Sequence, residues 1–404
     1  MRVFIADKFE QSGIDDLIRM GCEVIADAGK KGPELTAAIR DSGAKILIVR
    51  STKVTKEVIE AAGELALIIR AGAGVDNIDV AAASARGIFV TNCPGMNAVA
   101  VAELAFALIL SLDRRVPDCV AELRAGKWNK AEYSKARGLK DRTLGIIGFG
   151  PIGRAVAERA VAFEMNVLGW SRSLVREGAA VQSMRVCQTA REVADQSDIV
   201  SIHIASTPET KRLCDREFFD AMKPGAYFIN TSRGDVVDAE ALAAAIKSKS
   251  IRAGLDVYAA EPAQPTADFK DPLFGLPGVV YGTPHIAAST DQAQSAIAAE
   301  TVRLVEVFRE TGRVENCINL LPRSHARKML IVRHFNRPGV LAHVLSHIGH
   351  ANINVEEMEN VILKDEHTAV ARIRLAAAPP PTTLEAIRTG CEHIIAQSLV
   401  DLPA

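Results

Sequence analysis

Three short segments of this chain carry side chains suited to moving a proton and holding an anion. Asn230-Thr-Ser-Arg-Gly-Asp235 presents Arg233. Gly254-Leu-Asp-Val-Tyr-Ala-Ala-Glu-Pro262 presents Asp256 and Glu261. Gly282-Thr-Pro-His-Ile-Ala-Ala-Ser-Thr290 presents His285. A guanidinium clamps a carboxylate through two parallel hydrogen bonds. An imidazole carries one proton near neutral pH, and a glutamate on its second nitrogen fixes the tautomer and favours the imidazolium. Upstream, Gly148, Gly150 and Gly153 stand in G-x-G-x-x-G spacing, with Pro151 and Ile152 between them. The first glycine suits a tight turn, the second a close approach to a pyrophosphate, the third close packing of helix on strand. Singly, His285 reads as a loop histidine and Arg233 as a surface cation. Together on a nucleotide-binding sheet they suit hydride transfer between a nicotinamide and the carbon of a 2-hydroxy acid, with His285 taking the hydroxyl proton.

The elements around the glycines fit that chemistry. Leu144, Ile146 and Ile147 form an apolar strand before them. Ile152, Val156, Ala160 and Phe163 repeat at helical period after them, and Val167–Trp170 is the next strand. The helix start offers free N–H groups and positive dipole charge to phosphate oxygens. An acidic residue is expected about 20 residues on, against the adenosine ribose. Ser171 and Arg172 stand there instead. A guanidinium at that place attracts the 2′-phosphate of NADP, or it is a surface arginine without a ligand.

A chain of 404 residues implies two or three domains, and 48% apolar residues suffice for sizeable cores. A net charge of −1 points to neither a nucleic acid nor a membrane as partner. Cys22, Cys93, Cys119, Cys187, Cys214, Cys317 and Cys391 form no C-x-x-C pair, which suggests free thiols in a reducing cytoplasm and no metal site. The first residues lack the apolar core of a signal peptide. The most apolar helical run, Val99–Leu112, is too short to span a bilayer.

Along the chain, strands at Val3–Ala6, Glu23–Ala26, Ile46–Val49, Leu67–Arg70 and Ile88–Val90 alternate with helices, predicting a parallel sheet covered on both faces. Ligands then sit beyond the carboxyl ends of the strands, where Arg50-Ser-Thr-Lys53 and Arg70-Ala-Gly-Ala-Gly74 fall. A long helix from Asn97 to Leu112 leads to a second α/β unit that continues to about Thr283. A helix from Thr290 to Thr311 returns the chain to the first domain. The expected fold class is therefore α/β, with two Rossmann-like parallel-sheet domains and a small C-terminal α+β domain. The expected boundaries are residues 1–96 with 284–316 (substrate), 97–283 (dinucleotide) and 327–404 (the small domain). Residues 317–327 are expected to be linker, and a helix is expected over Leu384–Gln397.

The motifs resemble those of the D-2-hydroxyacid dehydrogenase family. The matching pieces, in family order, are Val49-Arg-Ser51, Arg70-Ala-Gly-Ala-Gly-Val-Asp-Asn-Ile-Asp79, Gly148-Phe-Gly-Pro-Ile-Gly153, Asn230-Thr-Ser-Arg-Gly234, Asp256-Val-Tyr-Ala-Ala-Glu-Pro262 and Thr283-Pro-His285. The resemblance implies that Arg233 binds the substrate carboxylate, Glu261 orients His285, and His285 is the acid/base. It implies that Asn97, Ala73 and Gly74 line the substrate pocket. Within the family the chain looks like the branch acting on 3-phosphoglycerate, so that Arg50, Ser51 and Arg70 meet a phosphate. Asp256 and Thr207 would lie near the cofactor. That branch normally has Asp at the place of Ser171 and prefers NAD, whereas Ser-Arg looks like the NADPH-using glyoxylate/hydroxypyruvate reductases, the alternative function. NAD or NADP is the implied cofactor. The last residues, with His334-Phe-Asn-Arg-Pro-Gly-Val340 and Ala351-Asn-Ile-Asn354, look like an ACT regulatory domain. By that resemblance His334, Asn336 and Asn352 would meet L-serine between two subunits of a homodimer or homotetramer; an ACT unit that only dimerises is the alternative. A sensor that binds nucleotide and amino acid without catalysis is a third class, opposed by the intact Arg233, Glu261 and His285.

Overall fold

The computed structural model describes the whole chain except residues 179–180, 182–183, 263–265, 277–278, 322–323 and 404. The chain divides into two compact units, Met1–Asn319 and Leu320–Ala404.

The first unit holds two parallel sheets. Strands β1 (Arg2–Ile5), β2 (Glu23–Ala26), β3 (Ile46–Val49), β4 (Leu67–Arg70) and β5 (Phe89–Asn92) pair in the order β2-β1-β3-β4-β5. All four residues of β3 are buried, as a parallel strand with helices on both faces requires. One face packs on Leu35, Ile39, Val58 and Ile59, the other on Leu17, Ile297, Leu304 and Val305. Burying each such side chain is worth about 1.5–3 kcal/mol. The last three belong to the helix Asp291–Thr311, which packs on the helix Gln11–Arg19 and so brings the chain back to the first sheet. The order reverses at β1 and β3, so a crevice opens beyond their carboxyl ends.

The second sheet comprises β6 (Thr143–Ile147), β7 (Asn166–Trp170), β8 (Arg185–Val186), β9 (Ile199–Ile202), β10 (Tyr227–Asn230), β11 (Arg252–Leu255) and β12 (Val280–Gly282). Its order is β12-β11-β10-β9-β6-β7-β8, with the reversal between β6 and β9. The helix Ala98–Arg114 packs on the helix Pro151–Ala162 and beneath β10–β12. It ends where Arg115 takes a left-handed φ of 52°. A further helix, Val116–Arg124, buries none of its residues, although Val116, Cys119, Val120 and Leu123 recur at helical spacing and leave an exposed apolar stripe.

In the second unit β13 (Lys328–Phe335), β14 (Val355–Ile362), β15 (Thr368–Leu375) and β16 (Ile394–Asp401) form an antiparallel sheet in the order β14-β15-β13-β16. The helices Val340–His350 and Pro381–Thr389 accompany it. The expected helix over Leu384–Gln397 is corrected here: the helix stops at Thr389, before Gly390, and the chain returns as β16. Sequence alone missed this because Ile394 and Ile395 continue the apolar run of the helix. The expected linker begins later than residue 317. Ile318 N–H donates to the Val90 carbonyl, and the Asn319 carboxamide accepts from Val90 N–H and donates to the Ile88 carbonyl, so residues 317–319 border β5. Residues 322–323 of that linker lie outside the described residues. No helix among the described residues is long and apolar enough to cross a membrane.

Candidate active site

His285, Glu261 and Arg233 come from three loops at the carboxyl ends of β12, β11 and β10, three neighbouring parallel strands. Each loop is shaped by its own polar residues. Asn230 folds the first: its carbonyl oxygen accepts from the Ser232 N–H and hydroxyl, and its amide donates to the Arg233 carbonyl. Gly234 lets that loop touch the next, since a Cβ there would stand 2.1 Å from the Tyr258 carbonyl carbon. Tyr258 N–H donates to Glu261 Oε1 at 2.9 Å, and the Tyr258 hydroxyl donates to the carbonyls of Leu255 and Thr283.

Glu261 Oε2 lies 2.7 Å from His285 Nδ1. Burial alone would raise the Glu261 carboxyl. Hydrogen bonds from His285 and Tyr258 N–H, with the charges of His285 and Arg233, outweigh it and hold the group below the usual carboxylate range. The carboxylate therefore accepts from Nδ1–H and leaves Nε2 to exchange a proton with a ligand. About half of the His285 side chain is open to solvent, as an acid/base facing a cleft must be. His285 also holds a left-handed φ of 53°, a conformation that costs a non-glycine residue roughly 1–2 kcal/mol. Its N–H donates to the carbonyls of Asp256 and Thr283, which keep it there.

Asp256 lies beneath this loop. It is fully buried, and its carboxylate accepts from the Thr283 hydroxyl and the N–H groups of Ile286 and Ala287. Every one of these bonds is to the 283–287 loop, so Asp256 holds the loop that carries His285.

Across the cleft, the loops of the first sheet bring the remaining positions together. Asp7 at the end of β1 accepts from the N–H groups of Arg50, Ser51 and Thr52 and from the Ser51 and Thr52 hydroxyls. Burial opposes the Asp7 charge, but these bonds hold its carboxyl below the usual range. Ser51 therefore spends its hydroxyl on Asp7, while Arg50 is tied to Asp7 through its backbone N–H. Arg70, at the end of β4, is pulled down to about 10 by burial and by repulsion from Arg233 and Arg50, yet stays charged at neutral pH; its Nε is enclosed without a partner. The Ala73 carbonyl accepts from the Asn92 amide. A Cβ on Gly74 would stand 1.9 Å from Arg233 Nη2, so only glycine lets the guanidinium lie against this loop. Asn97, at the start of the helix Ala98–Arg114, has an enclosed Oδ1 with no partner.

The glycine turn has the form a dinucleotide requires. Gly148 has φ of 96°, and a Cβ there would lie 2.2 Å from the His203 carbonyl oxygen; one on Gly153 would lie 2.1 Å from the Gly148 carbonyl oxygen. A Cβ on Gly150, by contrast, meets nothing within 4 Å. Gly150 is the N-cap of the helix Pro151–Ala162 and supplies no side-chain cap, so the first N–H groups, with Ile152 and Gly153 among them, stay available to phosphate oxygens. These residues fit a bound pyrophosphate. At the end of β7, Ser171 caps the short helix Arg172–Glu177 by accepting from Leu174 N–H. Arg172 is largely exposed, and its Nη1 lies 3.9 Å from Glu209 Oε2. Glu209 in turn accepts from the Thr207 hydroxyl at 2.7 Å.

The family model for the D-isomer specific 2-hydroxyacid dehydrogenase NAD binding domain matches residues 106–287. A hydroxypyruvate reductase of Thermotoga maritima is 41% identical over 269 residues, 66% of this chain and 85% of the relative. This chain belongs to the D-isomer specific 2-hydroxyacid dehydrogenase family. A D-3-phosphoglycerate dehydrogenase of Methanocaldococcus jannaschii is 37% identical over 322 residues, 79% of this chain, and the chain spans 60% of that relative's length. The structure is similar to that of an NAD+-bound 3-phosphoglycerate dehydrogenase of Entamoeba histolytica, with a TM-score of 0.66 and 27% identity over 80% of this chain and 99% of that one. The family's NAD-binding domain thus coincides with the sheet that carries the glycine turn and all three loops of the His285 site.

Several contributors escaped the sequence reading. Asp7 carried a signal, an acid at the end of the first strand, but nothing in the sequence joins it to residues 50–52. Asn230 and Tyr258 lie inside recognised motifs, yet their roles depend on the loops they span. Asp76 accepts from Arg233 Nε at 2.8 Å across 157 residues of chain. In the second unit His334 is buried, Nδ1 lying 2.8 Å from the Phe335 carbonyl oxygen and Nε2 3.1 Å from Asn360 Oδ1. Asn336 donates to the Glu366 carbonyl, and Asn352 has φ of 54°. Asn336 and Asn352 flank opposite ends of the helix Val340–His350, about 16 Å long at 11 residues.

Proposed function

We propose that the protein is a D-3-phosphoglycerate dehydrogenase, oxidising 3-phosphoglycerate to 3-phosphohydroxypyruvate with NAD or NADP. The observation that carries this reading is the cationic floor of the cleft. Arg70 is repelled there by Arg233 and Arg50, and cations gathered from both lobes support a ligand with two anionic ends. Arg233 takes the carboxylate and the Arg50–Arg70 side takes the phosphate. The enclosed, partnerless Oδ1 of Asn97 supports a role as acceptor toward the same substrate. His285 Nε2 removes the proton of the C2 hydroxyl as the C2–H bond breaks, and Glu261 stabilises the imidazolium that forms. Bound nicotinamide supplies the acceptor for the hydride.

A second reading, an NADPH-dependent reductase of glyoxylate or hydroxypyruvate, is favoured by Arg172 at the adenosine end and by the likeness to the Thermotoga enzyme. The C-terminal unit is read as an ACT-like domain that binds L-serine. A ligand touching both Asn336 and Asn352 then requires two copies of the unit, which is the reason to expect a homodimer or homotetramer.

Steady-state turnover of 3-phosphoglycerate, glycerate, lactate, glyoxylate and hydroxypyruvate, each with both nucleotides and with or without L-serine, tests these readings together. The phosphorylated acid is expected to give the highest kcat/KM. Equal or better turnover of the unphosphorylated acids overturns the first reading, and no response to L-serine overturns the regulatory one.

A further inference from the structure

Arg233 is held on two sides by groups that are not ligands. Its Nε donates to Asp76 Oδ2 at 2.8 Å, and its Nη1 donates to the Ser232 carbonyl at 2.7 Å. A guanidinium can offer a carboxylate a pair of parallel N–H groups along either of two edges, one made by Nε with an Nη and one made by both Nη atoms. Asp76 stands on the first edge. The Ser232 carbonyl is the oxygen of the preceding residue, so one Nη1 hydrogen turns back toward the arginine's own backbone. The edge formed by Nη1 and Nη2 remains.

Asp76 is well placed to hold that choice. It belongs to the loop after β4, on the opposite lobe from Arg233. The loop is anchored directly after it, at Asn77. Asn77 donates through its amide to the Thr52 carbonyl at 2.7 Å, and its own carbonyl accepts from Val54 N–H. Asp79, the second acid of the same segment, is already committed to capping the helix Val80–Ala85 by accepting from Ala82 N–H. Gly74 in the same loop makes the room that Nη2 occupies. One loop therefore supplies both the acceptor that holds Nε and the gap that admits Nη2. Asp76 also partly offsets the repulsion that Arg70 feels from Arg233 and Arg50.

We propose that Asp76 is a positioning residue: reaching from the opposite lobe, it occupies the Nε edge of Arg233 and so presents the Nη1–Nη2 edge to the substrate carboxylate. This rests on the reading that Arg233 receives that carboxylate. The role is exerted through Arg233 alone, so it leaves a signature that a merely structural acid would not.

The test is a double-mutant cycle on kcat/KM for the hydroxy acid, with Asp76→Ala, Arg233→Lys and both together, each checked for an unchanged thermal midpoint. Asp76→Ala is expected to lower kcat/KM by about 10²-fold, the cost of a misplaced clamp. In the Arg233→Lys background, where the fork is gone, the same change is expected to cost no more than about twofold. Asp76→Asn keeps an acceptor for Nε and removes a negative charge beside the carboxylate. It is expected to retain kcat within about threefold and to lower KM. Additive losses in the cycle, or full activity of Asp76→Ala, overturn the proposal while leaving Arg233 as the clamp. Unchanged kcat/KM in Arg233→Lys instead overturns the reading on which it rests. Should Asp76→Ala fail to fold, Asp76→Ser and Asp76→Glu, which misplace or lack the acceptor for Nε, carry the same cycle.

Discussion

Two places in the first unit present arginine to an anion, and they are built in opposite ways. At the floor of the cleft, Arg233 is tied by Asp76 and Ser232, Arg70 is enclosed, and Gly72 and Gly74 are shaped around them: a Cβ on Gly72 would stand within 2 Å of an Arg70 nitrogen. At the adenosine end Arg172 is about two-thirds exposed, and its nearest carboxylate, Glu209, is 3.9 Å away. An enclosed guanidinium acts through low-dielectric interactions and fixed geometry, whereas an exposed one acts through a screened charge worth about 1 kcal/mol or less. On the proposed reading, the cleft is committed to an anionic acid by its construction. The adenosine end holds only a bias between nucleotides, and Glu209 opposes that bias by pairing with the same arginine.

The largest effect expected from breaking this contrast lies at His285. His285→Ala should lower kcat by about 10²–10⁴-fold in single-turnover and steady-state assays, the range for loss of a general acid/base. A loss below tenfold would give His285 another role. Next comes Glu261→Gln, which keeps the shape but removes the charge that fixes the tautomer; kcat should fall by about 10–10²-fold. The same variant has a pH signature. The Glu261 carboxyl is held below its usual value in the folded chain, so its contribution to stability is present above the range of a free glutamate, about pH 4.3, and is lost as pH falls through the lower folded value. The thermal midpoint of the wild type should therefore exceed that of Glu261→Gln at pH 7, and the gap should close on acidification. A gap independent of pH would show that the carboxylate gains nothing from its charge. The smallest effect is at the exposed end. Arg172→Ala should raise KM for NADPH by about 3–10-fold while leaving KM for NADH within about twofold, as expected for one solvent-screened phosphate contact. Equal changes for both nucleotides would remove Arg172 from the site.

Strands and glycine turns were readable because each rests on local rules. β2, β3 and β4 occupy the predicted residues, since runs such as Ile46-Leu-Ile-Val49 have no other stable use than a strand buried on both faces. Gly148, Gly150 and Gly153 announced their turn because two of them have backbone where a Cβ would stand and the third opens into space. What stayed hidden has the opposite character. The helix Val116–Arg124 has no buried partner for its Val116, Val120 and Leu123, and β16 was taken for helix because Ile394 and Ile395 extend an apolar run that only pairing with β13 turns into a strand.

The linear chain alone determined the types of side chain available for chemistry and which strand end each would follow: an imidazole, a carboxylate and a guanidinium in successive loops after apolar strands, with a glycine turn upstream. Those features depend on residues within about ten positions of one another, where backbone sterics and hydrophobic periodicity act. The tertiary structure alone decided which acid serves which partner. Asp256 turned out to hold the His285 loop, Asp7 to build the Arg50 loop and Asp76 to reach Arg233. A carboxylate finds its donor through space at about 3 Å, and nothing in the order of residues measures that distance.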